Sequence, residues 1–403
     1  MWDSPPMTRH PLGAPFWRLW ASSGLSNLAD GLVKVALPLA AAHATRSPVL
    51  VAGVAVVTTL PWLLFALPAG ALVDRVDRRW AALGANTARA ALAGVLAVAA
   101  AGGADSIWVL YAVALGVGIA ETVHDTAAQS VLPALVPSEA LPRANGRLFA
   151  VELTTNEFAG PPLAGLLVAT GTTLAFGAPA ALWCAAVAAL WSVRGGFRTD
   201  RREPTALRAD IAEGLRYLWR DRLLRTLAVT GGVFNFARGA VGAVLVLHAV
   251  GPGSAMGLSD TGFGLLLTAM AAGGLAGSLV AERVAGALGR TGSFALAVLA
   301  GTAMAGAPAV TTQPLPIGAA FFAGGMGVVV WNVVALSLRQ RTTPDRLLGR
   351  VTSGSRLLLW GSLPLGAAAG GVLGQAFGLR AVFAASALLT LGLLTGVLAV
   401  ARR

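Results

Sequence analysis

The sequence predicts an all-α integral membrane protein in which twelve transmembrane helices form two pseudo-symmetric six-helix bundles. The first reason is composition: 56% of the 403 residues are apolar and only 12% are charged, whereas a soluble domain carries roughly 25% charged residues. The second reason is a series of apolar windows of membrane-spanning length, and the third is a one-sided distribution of arginine between them. The same composition excludes a disordered chain, and the single cysteine, Cys184, excludes a disulfide scaffold.

Twelve windows of about 20 mostly apolar residues, the length needed to cross a bilayer, follow one another along the chain. The fifth is interrupted by Glu152, Glu157 and the pair Pro161-Pro162, and the ninth is short. The predicted spans are 17–42, 49–72, 80–101, 107–130, 147–169, 173–193, 227–249, 261–281, 292–310, 315–338, 352–373 and 380–400.

Arginine placement predicts the orientation of these spans. With an even number of spans both termini share one side, and the connectors and termini on that side hold 24 arginines, while the opposite side holds only Arg46 and Arg380. Basic residues are retained on the cytoplasmic side of a membrane. We therefore expect both termini to be cytoplasmic, and we attribute the net charge of +12 to topology rather than to nucleic-acid binding. We expect no cleavable signal peptide, because the first apolar run is too long and too polar.

The longest polar connector divides the spans six and six. It predicts an N-terminal bundle over 1–193, a cytoplasmic linker over 194–225 and a C-terminal bundle over 226–403. Residues 206–224 are amphipathic, so we expect a helix on the cytoplasmic membrane surface, with a solvated linker helix as the alternative.

The two halves carry a faint repeat. Pro161 follows Arg147 by fourteen residues in the first half, and Pro364 follows Arg350 by the same spacing in the second. A duplicated bundle with an axis along the membrane normal is an architecture of transporters.

Three motifs resemble those of a known family. The segment GALVDRVDRR, from Gly70 to Arg79, resembles the G-x-L-x-D-R-x-x-R-R signature of the major facilitator superfamily, with Asp77 where many members have glycine. The segment GPPLAG, from Gly160 to Gly165, is similar to the G-P-x-x-G motif of its antiporters. The runs ETVHD at 121–125 and PDRLLGR at 344–350 resemble the drug:proton antiporter branch that includes macrolide-efflux and enterobactin-export proteins. The resemblance covers the whole chain, although the basic residue that many drug antiporters carry in the fourth span is absent.

The resemblance implies a cytoplasmic latch formed by Gly70, Asp74, Arg75, Arg78 and Arg79. A helix N-terminus carries roughly half a positive charge. The carboxylate of Asp74 is therefore expected to dock on the start of the eleventh span, around 349–355. The alternative is that the three arginines only set topology and bind anionic lipid.

The motif of the fifth span predicts a hinge made of Gly160, Pro161, Pro162 and Gly165. The prolines remove amide donors and bend the helix, and the glycines allow neighbouring helices to approach closely.

Polar residues form stripes on the first, fourth, seventh and tenth spans, and these spans line the central cavity in the superfamily. The cavity and coupling candidates are Asn27, Asp30, Lys34, Glu121, His124, Asn235, Arg238 and Asn332. Asp125 lies on the same stripe of the fourth span, but we assign it to the cytoplasmic latch as a structural partner of the latch arginines. His124 suits either proton transfer or a local hydrogen bond.

Asp30 is the leading candidate for proton coupling and Glu121 the second, since ionisable residues inside a membrane are costly and usually functional. Low dielectric raises the pKa of a carboxyl group and a nearby cation lowers it, so alternating access can switch such a group between two protonation states. Arg238 is a candidate counter-ion from the opposite half. The alternative for Asp30 is a static ion pair with Lys34, one turn away.

Together these features predict a secondary active transporter of the bacterial cytoplasmic (inner) membrane, active as a monomer. It would export a small hydrophobic or amphipathic compound (a drug, antibiotic or siderophore) in exchange for protons, by alternating access. The alternatives are a lysophospholipid flippase or a nutrient importer on the same scaffold. Scattered histidines and the lone cysteine predict no metal site, and neither a cofactor nor enzymatic activity is expected.

Overall fold

A computed structural model of the protein describes residues 12–73, 75–103, 106–195, 197 and 207–401. Almost all of these residues are helical, and short connectors join successive helices. The helices are α1 (Gly13–Ala44), α2 (Pro48–Val73), α3 (Arg78–Ala101), α4 (Ile107–Val131), α5 (Leu141–Glu152), α6 (Gly160–Thr170), α7 (Thr172–Trp191), α8 (Leu207–Arg220), α9 (Arg222–Ala249), α10 (Asp260–Val310), α11 (Pro314–Thr342), α12 (Asp345–Phe377) and α13 (Leu379–Ala401).

The described ranges contain twelve crossings, which confirms the predicted fold class. Ten helices are long and apolar enough to span a bilayer. One of them, α10, has 51 residues and is broken at Gly289 (φ 63°, ψ −173°) into 260–288 and 290–310. The twelfth crossing consists of α5, a π-helix over Leu153–Ala159, and α6.

Some predicted boundaries are wrong. The connector expected between 281 and 292 is helical apart from Gly289, because a single residue with positive φ is enough to turn the chain and glycine adopts it without strain. The seventh crossing begins at Arg222 rather than at 227, since the side chain of Asp221 accepts a hydrogen bond from the Leu224 amide and caps the helix.

The π-helix has a local cause. Pro161 and Pro162 have no amide hydrogen to give to the preceding turn, and the amide of Gly160 instead donates to the carbonyl of Thr155, five residues back. Gly160 also faces α1, where a Cβ atom added to it would lie 2.7 Å from the Cα atom of Gly31. The fifth crossing therefore changes its helical pitch where it packs closely on the first.

The two halves are joined in the far part of the molecule and remain in contact to mid-depth, where the ring centroids of Trp62 on α2 and Trp360 on α12 lie 5.8 Å apart. We call the side where α1 begins and α13 ends the terminal side, and the opposite side the far side. The largest buried cluster combines apolar residues from the second half of α1 with Val244–Leu247 of α9 and Phe263 of α10, so it spans both halves in the far part. Toward the terminal side the buried clusters stay within one half, one around Phe16 and another around Leu218.

The linker helix α8 packs on the second bundle. Leu218 is fully buried, Gly214 lies against the backbone of Arg350, and Leu215 lies against Gly354 of α12. The apolar face expected on the membrane surface is thus turned onto α12. The docking region expected at 349–355 lies inside α12 and not at its N-terminus, because this helix already begins at Asp345.

Candidate functional site

The central feature of the first bundle is an ion pair between α1 and α3. Arg89 Nη1 donates to Asp30 Oδ1 at 2.6 Å. The Arg89 side chain is fully buried and that of Asp30 is 13% exposed. At 1.5 Å per residue, Asp30 lies about 26 Å from the start of α1 and about 21 Å from its end. The pair therefore lies well inside the membrane-spanning part of the bundle.

Three further side chains surround the Arg89 guanidinium. Nη2 donates to Ser26 Oγ at 3.1 Å and to Asn86 Oδ1. Its Cζ atom lies 5.2 Å from the ring centroid of Trp183 on α7, a cation–π distance. Arg89 thus holds α1, α3 and α7 together around the carboxylate of Asp30.

Arg89 has no role in the sequence-based predictions above, yet it is the direct partner of the leading coupling candidate. A signal existed, because Arg89 lies in the middle of the third predicted span, 80–101, where a charged side chain is costly without a partner. What sequence periodicity does not provide is the identity of the facing helix.

Lys34 pairs with a residue on another helix. Its Nζ atom lies 2.5 Å from Glu157 Oε1 in the π-helix, with the two side chains 50% and 34% exposed. The alternative assignment of a static pair between Asp30 and Lys34 is therefore wrong in this structure. One turn of α1 separates the two, and the helices packed on either side supply a different partner to each.

The acidic residues of α4 lie near Asp30. The charges of Asp30, Asp125, Arg89 and Lys34 all act on Glu121. His124 Nδ1 lies 3.3 Å from Asp125 Oδ1, and the imidazole is buried while the carboxylate is 39% exposed. The structure thus places the fourth-span candidates beside the first-span candidate.

Arg238 faces the first half from α9. It is half-buried, and the charge of Glu157 acts on it. Within the described ranges it makes no hydrogen bond. Glu157 therefore interacts with a cation of each half, through a direct contact with Lys34 and through a longer-range attraction to Arg238.

The remaining polar candidates are more local. The Asn27 amide donates to the Ser23 carbonyl at 2.9 Å within α1. The Asn235 amide donates to the Leu359 carbonyl at 2.9 Å and joins α9 to α12. Asn332 is exposed on α11.

The latch region is only partly described. Asp74 lies outside the described residues, and Gly70 lies in the last turn of α2. Arg75 is exposed, whereas Arg79 Nε donates to the Leu190 carbonyl at 3.3 Å and its Nη2 to the Trp191 carbonyl at 2.5 Å. At least Arg79 therefore anchors the end of α7, within the first bundle.

Several polar contacts between the halves lie on the far side. Arg46, between α1 and α2, donates Nη1 to the Val250 carbonyl at 2.8 Å and Nη2 to the Leu247 carbonyl at 3.0 Å. These carbonyls belong to the C-terminal end of α9, which lacks intrahelical donors and carries partial negative charge. Two neighbouring contacts add to this closure: Ser47 Oγ lies 3.1 Å from Gln375 Oε1, and His43 Nε2 lies 3.2 Å from Asp260 Oδ1.

These contacts join the two halves on the far side. In the first half, the partly exposed Lys34–Glu157 pair lies one turn of α1 from the buried Asp30–Arg89 pair. Among the described residues no group of three or more His, Cys, Asp or Glu side chains could hold a metal ion. The carboxylates of Asp30 and Glu157 are groups that can exchange protons.

Comparison with known proteins identifies the family. Residues 8–402 match the family described as transmembrane secretion effector. The chain is similar to the multidrug efflux pump Tap of Mycolicibacterium fortuitum, at 31% identity over 389 residues, covering 92% of this chain and 91% of the relative. It is also similar to the multidrug efflux pump Tap of Mycobacterium tuberculosis (strain ATCC 25618 / H37Rv), at 32% identity over 392 residues, covering 93% of this chain and 89% of the relative.

Solved structures share the fold. The nucleoside transporter NupG superposes with a TM-score of 0.76 at 11% identity, covering 97% of this chain and 100% of that one. A bacterial homologue of the iron transporter ferroportin, in its inward-facing state, superposes with a TM-score of 0.74 at 17% identity, covering 96% and 99%. The resemblance carried by the sequence motifs is confirmed: the chain belongs to the transmembrane secretion effector family of the major facilitator superfamily and is a multi-pass membrane transporter of small molecules.

Proposed function

We propose that this protein exports small hydrophobic or amphipathic compounds (drugs, antibiotics or siderophores) in exchange for protons by alternating access. The observation that carries the proposal is the Asp30–Arg89 pair, a carboxylate held against a guanidinium inside the membrane-spanning part of the first bundle. The scheme places the cargo in a central cleft between the two bundles. The similarity to two multidrug efflux pumps supports export of drug-like cargo. The protein acts as a monomer in the bacterial cytoplasmic membrane, and its terminal side faces the cytoplasm.

Asp30 is the proton-coupling carboxylate in this scheme. Burial favours the neutral form of a carboxyl group and a neighbouring guanidinium favours the ionised form, so the two effects oppose each other at this position. A movement of α1 relative to α3 that weakens the 2.6 Å contact therefore favours proton uptake, and restoring the contact favours release.

Glu121 and Arg238 have supporting roles. Glu121 interacts electrostatically with Asp30 and is a second acceptor for the same proton. Arg238 approaches Glu157 from the second bundle, so rocking of the bundles changes the charge around the cleft. A potential of 100 mV contributes about 2.3 kcal/mol for each charge moved, which is roughly fiftyfold in concentration.

The scheme is tested with proteoliposomes. An imposed pH gradient should drive uphill transport of a fluorescent amphipathic cation by the wild type, and Asp30→Asn should abolish that transport while leaving cargo binding measurable. The matched control is Glu282→Gln, which removes an exposed carboxylate of α10 on the terminal side, just before the break at Gly289. This variant should transport like the wild type. Undiminished proton-driven transport by Asp30→Asn would remove Asp30 from the mechanism.

A resistance and efflux panel in a pump-deficient bacterial host tests the cargo class. Expression should lower sensitivity to at least one amphipathic compound, and an uncoupler should remove the effect. Unchanged sensitivity to every compound would favour the lysophospholipid flippase or nutrient importer instead.

A further inference from the structure

A basic pocket opens on the terminal side of the first bundle, away from the central cleft. It has a volume of about 400 Å³ and is lined by Arg18 of α1 together with Trp191, Ser192 and Arg194 at and after the end of α7. We call this cavity the interface pocket. Two of its four lining residues are cationic and none is acidic, so the pocket is complementary to an anion.

Hydrogen bonds orient one of the two arginines and leave donors available. Arg18 Nη1 donates to the Ser192 carbonyl at 2.8 Å, which fixes the guanidinium at the rim of the pocket. Arg194 is exposed and makes no hydrogen bond or ion pair with any other described residue. Guanidinium groups with N–H donors still available favour a phosphate group, because a phosphate accepts several charge-assisted hydrogen bonds at once.

Aromatic rings place the pocket at the level of the lipid headgroups. Trp191 packs edge-to-face on Trp80 of α3, with ring centroids 5.1 Å apart, and both rings are more than half exposed. The Arg79 guanidinium lies 5.8 Å and 5.9 Å from the centroids of the two rings. Exposed tryptophans at the end of a membrane helix are typical of the membrane–water interface.

We propose that the interface pocket binds the phosphodiester headgroup of an anionic phospholipid. Arg18 and Arg194 contact the phosphate, Trp191 forms one wall, and the acyl chains extend along the lipid-facing surface of α3 and α7. Basic pockets of this kind on the cytoplasmic side recognise anionic lipid headgroups. Such a site would hold a lipid against the moving first bundle, and it does not depend on the identity of the cargo or on proton coupling.

The test uses native mass spectrometry of the full-length protein released from nanodiscs that contain equal amounts of phosphatidylglycerol and phosphatidylcholine. The wild type should retain phosphatidylglycerol preferentially. Arg18→Gln/Arg194→Gln should weaken that retention by about fivefold for each arginine removed, since each basic residue near an anionic surface contributes about 1 kcal/mol. A parallel arm adds glycerol phosphate as a soluble competitor, which should not displace the lipid at equal concentration.

The matched control is Arg283→Gln/Arg290→Gln, which removes two exposed arginines from the terminal side of the second bundle. It should retain phosphatidylglycerol like the wild type. Equal losses in both double variants would mean that a diffuse surface field binds the lipid, and unchanged retention in the pocket variant would overturn the site. Displacement by glycerol phosphate would assign the pocket to free phosphate esters. If the double variant fails to fold, Arg194→Gln alone carries the same test, because its side chain makes no hydrogen bond with a described residue.

Discussion

Arg89 of α3 donates to Asp30 of α1 across 2.6 Å, with the guanidinium fully removed from solvent. Such a pair ties the charge state of one helix to the position of another. Any change in the distance between α1 and α3 alters the protonation of Asp30, and any change in that protonation alters the attraction between the helices. A transporter that couples proton movement to bundle movement requires a relationship of this kind.

Removal of Arg89 should therefore affect both stability and coupling. Arg89→Ala leaves a buried carboxylate without a partner, and breaking a buried ion pair from one side costs about 3–5 kcal/mol. The thermal unfolding temperature in detergent should fall clearly, and proton-driven transport should disappear. The double variant Asp30→Asn/Arg89→Ala should recover much of the lost stability but no coupling. Additive effects of the two single variants would show that the residues do not interact.

Lys34→Gln should behave differently. The Lys34–Glu157 pair is partly exposed, and exposed pairs contribute about 0–1 kcal/mol. We expect a stability change below about 0.5 kcal/mol and preserved proton coupling, because Lys34 does not contact Asp30. Denaturation midpoints and the same pH-gradient assay measure the two quantities. Loss of coupling in Lys34→Gln would restore Lys34 as the partner of Asp30 during the transport cycle.

Arg46→Ala should loosen the far-side closure. Losing the two bonds to the Leu247 and Val250 carbonyls removes on the order of 1–2 kcal/mol from the closed form, which is roughly tenfold in the ratio of closed to open molecules. Spin labels introduced by Ala101→Cys, at the far-side end of α3, and Ala255→Cys, in the connector between α9 and α10, report the distance between the halves in a Cys184→Ala background.

Arg380→Ala is the control for this experiment. Arg380 is the other far-side arginine, it is exposed, and it makes no hydrogen bond with a described residue. The distance distribution should shift to longer values in Arg46→Ala only. Identical distributions in the two variants would show that Arg46 does not hold the far side closed.

Gly160→Ala should disturb the contact between α1 and the fifth crossing. The new Cβ atom would lie 2.7 Å from the Cα atom of Gly31, and overpacking of this kind costs about 1–3 kcal/mol. Gly94→Ala on α3 is the control, since no atom lies within 4 Å of the position of its Cβ. Thermal unfolding should show a loss for the first variant and no loss for the second. Equal effects would mean that the close approach at Gly160 does not limit packing.

The fold class could be predicted from the amino-acid sequence alone. The polar groups of the backbone find no water inside a bilayer, so a spanning segment must form its own hydrogen bonds as a helix. The length and hydropathy of the twelve apolar windows, together with the one-sided arginines, therefore predict the crossings. A short motif can also change the backbone next to it: the π-helix lies directly before Gly160 and the two prolines Pro161 and Pro162. Asp30 and Glu121 could be singled out because a charge inside a membrane span is conspicuous without knowledge of its neighbours.

Which charged side chains pair with each other depends on how the helices pack. Asp30 pairs with Arg89, 59 positions away, and Lys34 pairs with Glu157, 123 positions away. Periodicity assigns a residue to a face of its own helix, but the partner depends on which helix packs on that face and at what height. The apolar face of α8 met α12 instead of lipid for the same reason, since amphipathicity specifies that a face is buried and leaves open what covers it.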